Sequence, residues 1–270
     1  MTTFLFWNLG GKPLADRLAR MANNFGVDVL ILAECEVAPG MMLETLNRQA
    51  APMFHHHPGQ CERIAIYARF SSESFSPHYE TDRISIRRLS LLDAPEILLV
   101  SAHLPSKLHA DELDQYQTSS ELSAMIRQAE ENVGHTRTIL VGDLNMNPFE
   151  NGAVSAGGLH GVMTREIAQK DSRTIQGHDY PFFYNPMWGL FGDGSEGPAG
   201  SYYYAKSGHE TYFWNIFDQV LLRPALLPYF RNDDLKILTS DGVETLLTER
   251  GLPDDKAGSD HLPIMFKLHL

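Results

Sequence analysis

Six groups of polar residues recur along the chain, each at an edge of a short apolar run. Asn8 closes Phe4-Leu5-Phe6-Trp7, Glu34 follows Val29-Leu30-Ile31-Leu32-Ala33, and His103 follows Ile97-Leu98-Leu99-Val100-Ser101-Ala102. Asp143 and Asn145 end Ile139-Leu140-Val141-Gly142-Asp143-Leu144-Asn145, Asp218 sits in Phe217-Asp218-Gln219-Val220, and Asp260-His261 stand in Gly258-Ser259-Asp260-His261-Leu262-Pro263. The carboxyl ends of strands in α/β sheets face the crevice where ligands bind. Gathered there, these residue types suit hydrolysis of a phosphoric ester. Glu34 and Asp260 supply hard anionic oxygens, the ligands that Mg²⁺ or Mn²⁺ prefers over thiolate. Asp143 can orient or deprotonate a water, and Asn145 can donate an N–H to a phosphate oxygen. His103 and His261 can donate to charge developing on phosphorus, and Asp218 can fix the tautomer of His261 and raise its proton affinity.

Each element alone has a plainer explanation. A carboxylate at a strand end is commonly a turn former, and Asn8 before Gly10-Gly11 suits a simple turn. Gly142-Asp143-Leu144-Asn145 is more specific, because residues two apart on an extended segment point the same way. Burying Asp260 beside His261 ahead of an apolar strand costs free energy without a purpose. The succession Asn, Glu, His, Asp-x-Asn, Asp, Asp-His outweighs the separate explanations.

The elements that must position these groups are short and apolar. Segments 3–8, 27–33, 64–68, 97–103, 139–143, 217–223 and 262–268 are Leu-, Ile- and Val-rich runs bounded by Gly, Pro, Asn or Asp, the pattern of buried strands. On this reading Asp260 and His261 open the last strand. A helix is expected at 14–24 with Leu14, Leu18 and Met21 on one face. A longer one is expected at 111–131, burying Leu113, Tyr116, Leu122, Met125, Ile126 and Ala129. The order predicts an α/β sandwich with mixed sheets. Thirteen of the 27 aromatic residues fall between Tyr180 and Phe217. Interspersed Gly and Pro argue against a long regular element there. An aromatic- and Gly-rich excursion at about 177–216 is expected, folded on itself or forming a wall where bases or sugars stack. His55-His56-His57 alternate faces on an extended segment and cannot all bind one ion, so an exposed loop is expected. Lys12 and Lys107 fall in loops on the expected site face, where either can grip a substrate phosphate or stand as an ordinary surface lysine. Asp254-Asp255 reads as a solvated turn.

With Trp7-Asn8 at one end and Ser259-Asp260-His261 at the other, the chain resembles the endonuclease/exonuclease/phosphatase superfamily over nearly its whole length. Its strongest motifs are Gly142-Asp143-Leu144-Asn145 and Gly258-Ser259-Asp260-His261. The resemblance implies a four-layer α/β sandwich, two packed mixed β-sheets flanked by helices, as in deoxyribonuclease I. It implies metal contact by Glu34, with Asn8 and Asp260 nearby. It also implies that Asp143 and Asn145 orient water and phosphate, and that His261 paired with Asp218 is the acid/base or phosphate-polarising histidine. His103 follows the deoxyribonuclease and sphingomyelinase pattern, whereas abasic-site enzymes carry tyrosine there. Gly10 stands where some members place a further acid, which argues against a second tight metal site.

The 270 residues carry 22 Lys+Arg against 34 Asp+Glu, a formal charge of −12. That field excludes a generic basic nucleic-acid coat or a polybasic membrane binder. It permits phosphate chemistry at a site screened by a cation. Cys35 and Cys61 are too few for a disulfide framework and read as reduced thiols. With no basic leader and no apolar run of about 20 residues, a cytoplasmic protein without stable membrane association is expected. The expectation is one catalytic domain over 1–270. It is a Mg²⁺- or Mn²⁺-dependent phosphodiesterase acting on nucleic acid or nucleotides. Two alternatives remain open: a phosphatase or phosphodiesterase on a small or lipid-derived phosphate, and a catalytically silent binding scaffold.

Overall fold

Apolar runs buried on both faces need cover on both faces, and two stacked sheets with outer helices supply it. A computed structural model describes residues 1–48, 52–108, 110–207 and 209–270. The first sheet contains β1 (Thr2–Asn8), β2 (Val29–Ala33), β3 (His55–His56), β4 (Ile64–Ala68), β16 (Lys236–Ile237) and β17 (Ile264–Leu268), in the order β16-β17-β1-β2-β4-β3. The second contains β5 (Phe75–Glu80), β6 (Ile84–Leu89), β7 (Ile97–His103), β8 (Thr138–Asp143), β9 (Gly161–Val162), β12 (Phe183–Tyr184) and β15 (Asp218–Leu222), in the order β5-β6-β7-β8-β15-β12-β9. Two hairpins stand apart, β10 (Ser172–Ile175) with β11 (His178–Pro181), and β13 (Tyr202–Tyr204) with β14 (Phe213–Asn215).

Alternation along each strand divides the core into three apolar layers. Phe4, Phe6, Val29 and Ile31 of the first sheet meet Leu99, Ile139, Val141 and Val220 of the second between the sheets. Leu5, Trp7, Leu30 and Leu32 face outward under α1 (Ala15–Asn24) and α2 (Pro39–Leu46). Val100, Ala102, Leu140 and Leu221 face outward under α3 (Glu112–Val133). The protein is thus a four-layer α/β sandwich with mixed sheets. A fully buried residue on every position of β1, β2, β7, β8 and β15 explains why those strands read as continuous apolar runs.

Several expectations are corrected. The helix over 111–131 becomes α3, with Asp111 as N-cap in a reciprocal capping box with Asp114 and Gly134 closing it in the left-handed conformation. Its first half does not bury Leu113, which is 73% exposed; Gln115 and Ser119 face inward instead. The polar choice is explained by Gln115 Nε2, which donates to the Asn145 carbonyl at 2.8 Å. The last strand opens at Ile264, because Leu262 N donates to the Ser201 carbonyl across the sheet end. His55 and His56 form an edge strand, and His57 is buried against the edge of Phe75 rather than exposed. The strands β5 and β6 were not foreseen, since buried Arg87, paired with Glu80 at 2.8 Å, interrupts the apolar pattern. Residue 208 of the 177–216 excursion lies outside the described residues.

Candidate active site

Register sets the first row of the site. In the second sheet His103 on β7 and Asp218 on β15 both stand opposite Asp143 on β8, so three chemical residues line up across adjacent strands. Gly142 permits that alignment, because a Cβ there would lie 1.9 Å from the Ala102 carbonyl oxygen of β7. The first sheet brings Asn8 and Glu34 to the same end through the parallel pairing of β1 and β2. The two sheets are joined at this point by the Asn8 side chain, whose Nδ2 donates to Asp143 Oδ2 at 2.9 Å and to Glu34 Oε1 at 3.4 Å. Asn8 Oδ1 accepts from Gly10 N at 3.0 Å, fixing the amide orientation.

The closing loop 258–263 supplies the remaining groups. Ser259 Oγ donates to the Asn8 carbonyl at 2.7 Å and accepts from His261 N at 3.2 Å, locking the loop against β1. Trp7 Nε1 donates to the His261 carbonyl at 2.8 Å. His261 Nδ1 lies 2.9 Å from Asp218 Oδ2, and its Nε2 points to Asp143 Oδ2 at 3.8 Å. Burial by itself would lower the proton affinity of His261, but Asp218, Asp143 and Asp260 together hold it up at about 10. Burial holds the Asp218 carboxyl above its usual range, against the opposing pull of the adjacent His261. His103 Nε2 stands 3.5 Å from Glu34 Oε1 and 3.8 Å from Asp143 Oδ2.

These groups open into a cleft of about 530 Å³. Asn8, Glu34, His103, Lys107, Asp143, Asn145, Asp260 and His261 line it, whereas Asp218 lies fully buried behind His261. Asn145 is not on an extended segment. It follows the end of β8 at φ +51, where its N–H donates to Asp143 Oδ1 at 2.9 Å and its Nδ2 to the Leu104 carbonyl at 3.0 Å. Lys107 is paired with Glu150 at 2.5 Å and lies over the Phe217 ring. Lys12 is not among the cleft-lining residues. Sequence reasoning missed Tyr202, whose ring lies 4.6 Å from that of His261, and Asn147, which donates to Asn215 Oδ1 at 2.9 Å and anchors β14. The run Tyr202-Tyr203-Tyr204 and the second Asn after Gly142-Asp143 were the available signals.

Glu34 and Asp260, both exposed rather than buried, present carboxylate oxygens to the cleft, the hard donors a divalent cation takes, whereas the Asn8 amide turns its NH₂ toward Glu34 and Asp143 and its Oδ1 to Gly10 N. Gly10 takes φ +57, and a Cβ there would touch Asp260 Oδ1 at 3.4 Å, an ordinary contact. Asp143, Asp218 and His261 also offer atoms within 4.8 Å of one another, but His261 Nδ1 is already engaged by Asp218.

Residues 5–261 match the model of the endonuclease/exonuclease/phosphatase family, and the chain belongs to that family. Members of this family generally hydrolyse phosphoester bonds and typically depend on a divalent metal. Among solved structures it is similar to the endonuclease domain of TRAS1, a telomere-specific non-LTR retrotransposon, at 15% identity and TM-score 0.54, covering 100% of this chain and 99% of that one. It is also similar to an AP endonuclease from Archaeoglobus fulgidus, at 13% identity and TM-score 0.56, covering 100% of both chains. The human nocturnin catalytic domain with bound sulfate matches at 13% identity and TM-score 0.56, covering 98% of this chain and 93% of that one. At these identities the likeness is one of fold. No curated protein matches the sequence. Among the described residues, no helix is long and apolar enough to cross a membrane.

Proposed function

We propose that the chain is a Mg²⁺- or Mn²⁺-dependent phosphodiesterase that hydrolyses phosphodiester bonds in nucleic acid or nucleotides by in-line attack of water. The observation that carries this reading is the line Asp218–His261–Asp143, with its Nε2 end open to the cleft and its Nδ1 end closed by a buried carboxylate. Glu34, Asn8 and Asp260 would hold the cation, which when bound polarises the phosphate and offsets its charge.

The protein groups do the rest. Asp143 holds the attacking water through a carboxylate that Asn8 and the Asn145 N–H keep in one orientation. Asn145, whose carbonyl is held by Gln115, presents its remaining amide N–H toward a phosphate oxygen. His261 donates from Nε2 to a non-bridging oxygen, and Asp218 keeps the proton in place. His103 donates beside it, and Lys107 lies at the mouth. Support for nucleic acid as substrate comes from the solved relatives that are named endonucleases.

The test is a panel of single- and double-stranded DNA, RNA, a generic phosphodiester and a phosphomonoester with Mg²⁺, Mn²⁺ or chelator. Metal-dependent cleavage of a diester by the wild type and not by Asp143→Asn supports the reading. Hydrolysis of the monoester alone overturns it in favour of a phosphatase, and no turnover at all favours a scaffold.

A further inference from the structure

Tyr202, Tyr204, Tyr212 and Phe217 line the cleft. Tyr202 lies 4.6 Å from His261, and at 5.3 Å and 26° from Phe217. Tyr204, two residues along the same face of β13, is stacked 6.3 Å from Tyr202 at 20°. The row therefore runs from His261 outward and ends at the exposed Tyr204; Tyr212, also exposed and lining the same cleft, stands outside the row, edge-on to Phe149 at 5.1 Å.

Charge narrows the ligand. Among the described residues the lining contains two lysines, Lys107 and Lys206, and no arginine. Lys107 is already paired with Glu150, and Lys206 lies over the Tyr204 ring. A duplex draws its affinity from many phosphate contacts, which this wall cannot make. An unpaired base presents a π-face that a tyrosine ring binds without any cation. A cleft of about 530 Å³ is also of the size that takes a small ligand rather than a duplex groove.

We propose that this wall is a base-stacking platform, so that the substrate is a phosphodiester flanked by unpaired nucleobases, a single strand or a short oligonucleotide, and not a duplex. Tyr204 and Tyr212 carry the stacking, and Tyr202 links the platform to the position of His261. This rests on the phosphodiesterase reading for the meaning of the site, but binding tests it separately.

Fluorescence anisotropy with Ca²⁺ present would compare a labelled single strand, the same strand with base-free residues, and its duplex. The single strand is expected to bind at least about 10-fold more tightly than either. Tyr204→Leu and Tyr212→Leu are each expected to lose about 10-fold, while Tyr204→Phe keeps the affinity. The slope of log affinity against log salt should not exceed about −1.4, two contacts at about −0.7 each. Equal binding of the base-free strand, or tighter binding of the duplex, overturns the platform. So does co-sedimentation of the protein with phosphatidylcholine vesicles without strand binding, which would assign the apolar mouth to lipid. Strand binding that obeys this pattern, with no phosphodiester cleaved under Mg²⁺ or Mn²⁺, would sustain the platform and remove the hydrolase reading.

Discussion

Asp218 Oδ2 stands 2.9 Å from His261 Nδ1, with the carboxylate fully buried and the far imidazole nitrogen facing Asp143. A buried carboxylate in this position fixes both the tautomer and the orientation of the ring. Asp218→Asn is therefore expected to lower kcat on a phosphodiester by about 10²–10⁴. Because the two side chains act as a unit, adding His261→Ala to that variant should cost little more. A double-mutant cycle on kcat reads this directly, and multiplicative losses would mean that the pair does not work together. His261→Ala alone should also lower the melting temperature, since it leaves Asp218 buried without its partner.

Glu34, Asp143 and Asp260 put three carboxylates into one cleft. A cation that binds the folded state alone stabilises it by RT ln(1 + [L]/Kd), about 2.7 kcal/mol at a hundred times Kd. Mg²⁺ or Mn²⁺ is expected to raise the melting temperature of the wild type, and chelator to reverse the rise. Glu34→Gln, which removes one anionic ligand while keeping its size, should lose most of that response in scanning calorimetry. A variant that responds like the wild type would place the cation elsewhere.

The ends of the site strands were legible because β1, β2, β7, β8 and β15 are buried on both faces, so the first polar residue after each run marks the sheet edge. Asn8, Glu34, His103 and Asp143 were found by that rule. The geometry beyond the edge was not legible. Asn145 takes φ +51, which reverses the direction inferred from strand alternation. Asp260 and His261 precede the last strand, where the Ser259 Oγ accepts from His261 N and the Ser201 carbonyl accepts from Leu262 N, contacts that leave no periodic signal. Arg87 and Gln115 are polar residues buried by specific partners, and no hydrophobic pattern can announce them.

Gly142 carries a second prediction about the site strands. Its position opposite Ala102 leaves no room for a side chain, since an added Cβ would fall 1.9 Å from a backbone oxygen that cannot swing away. Gly142→Ala must part β7 from β8 and move Asp143 relative to His103. Overpacking of this kind costs about 3 kcal/mol. Urea denaturation should show the loss, and activity should fall further than the unfolded fraction explains. Wild-type stability in the variant would mean that the strands are farther apart than this register requires.

His57 provides a pH test remote from the chemistry. The ring is 3% exposed and packs edge-on to Phe75. Burial, aided by the nearby Arg87 charge, lowers its pKa to about 4 from the usual 6.5. Between those values the unfolded chain binds a proton that the folded chain refuses, so stability falls as pH falls. The loss begins near pH 6.5, grows by about 1.4 kcal/mol per unit, and levels off near pH 4 at roughly 3 kcal/mol. His57→Phe keeps an apolar ring against Phe75 and removes the titration. The difference in unfolding free energy between wild type and variant should therefore be constant above pH 7 and shift toward the variant in acid. Parallel curves across pH 4–7 would mean that the folded protein protonates His57 as readily as the unfolded chain does.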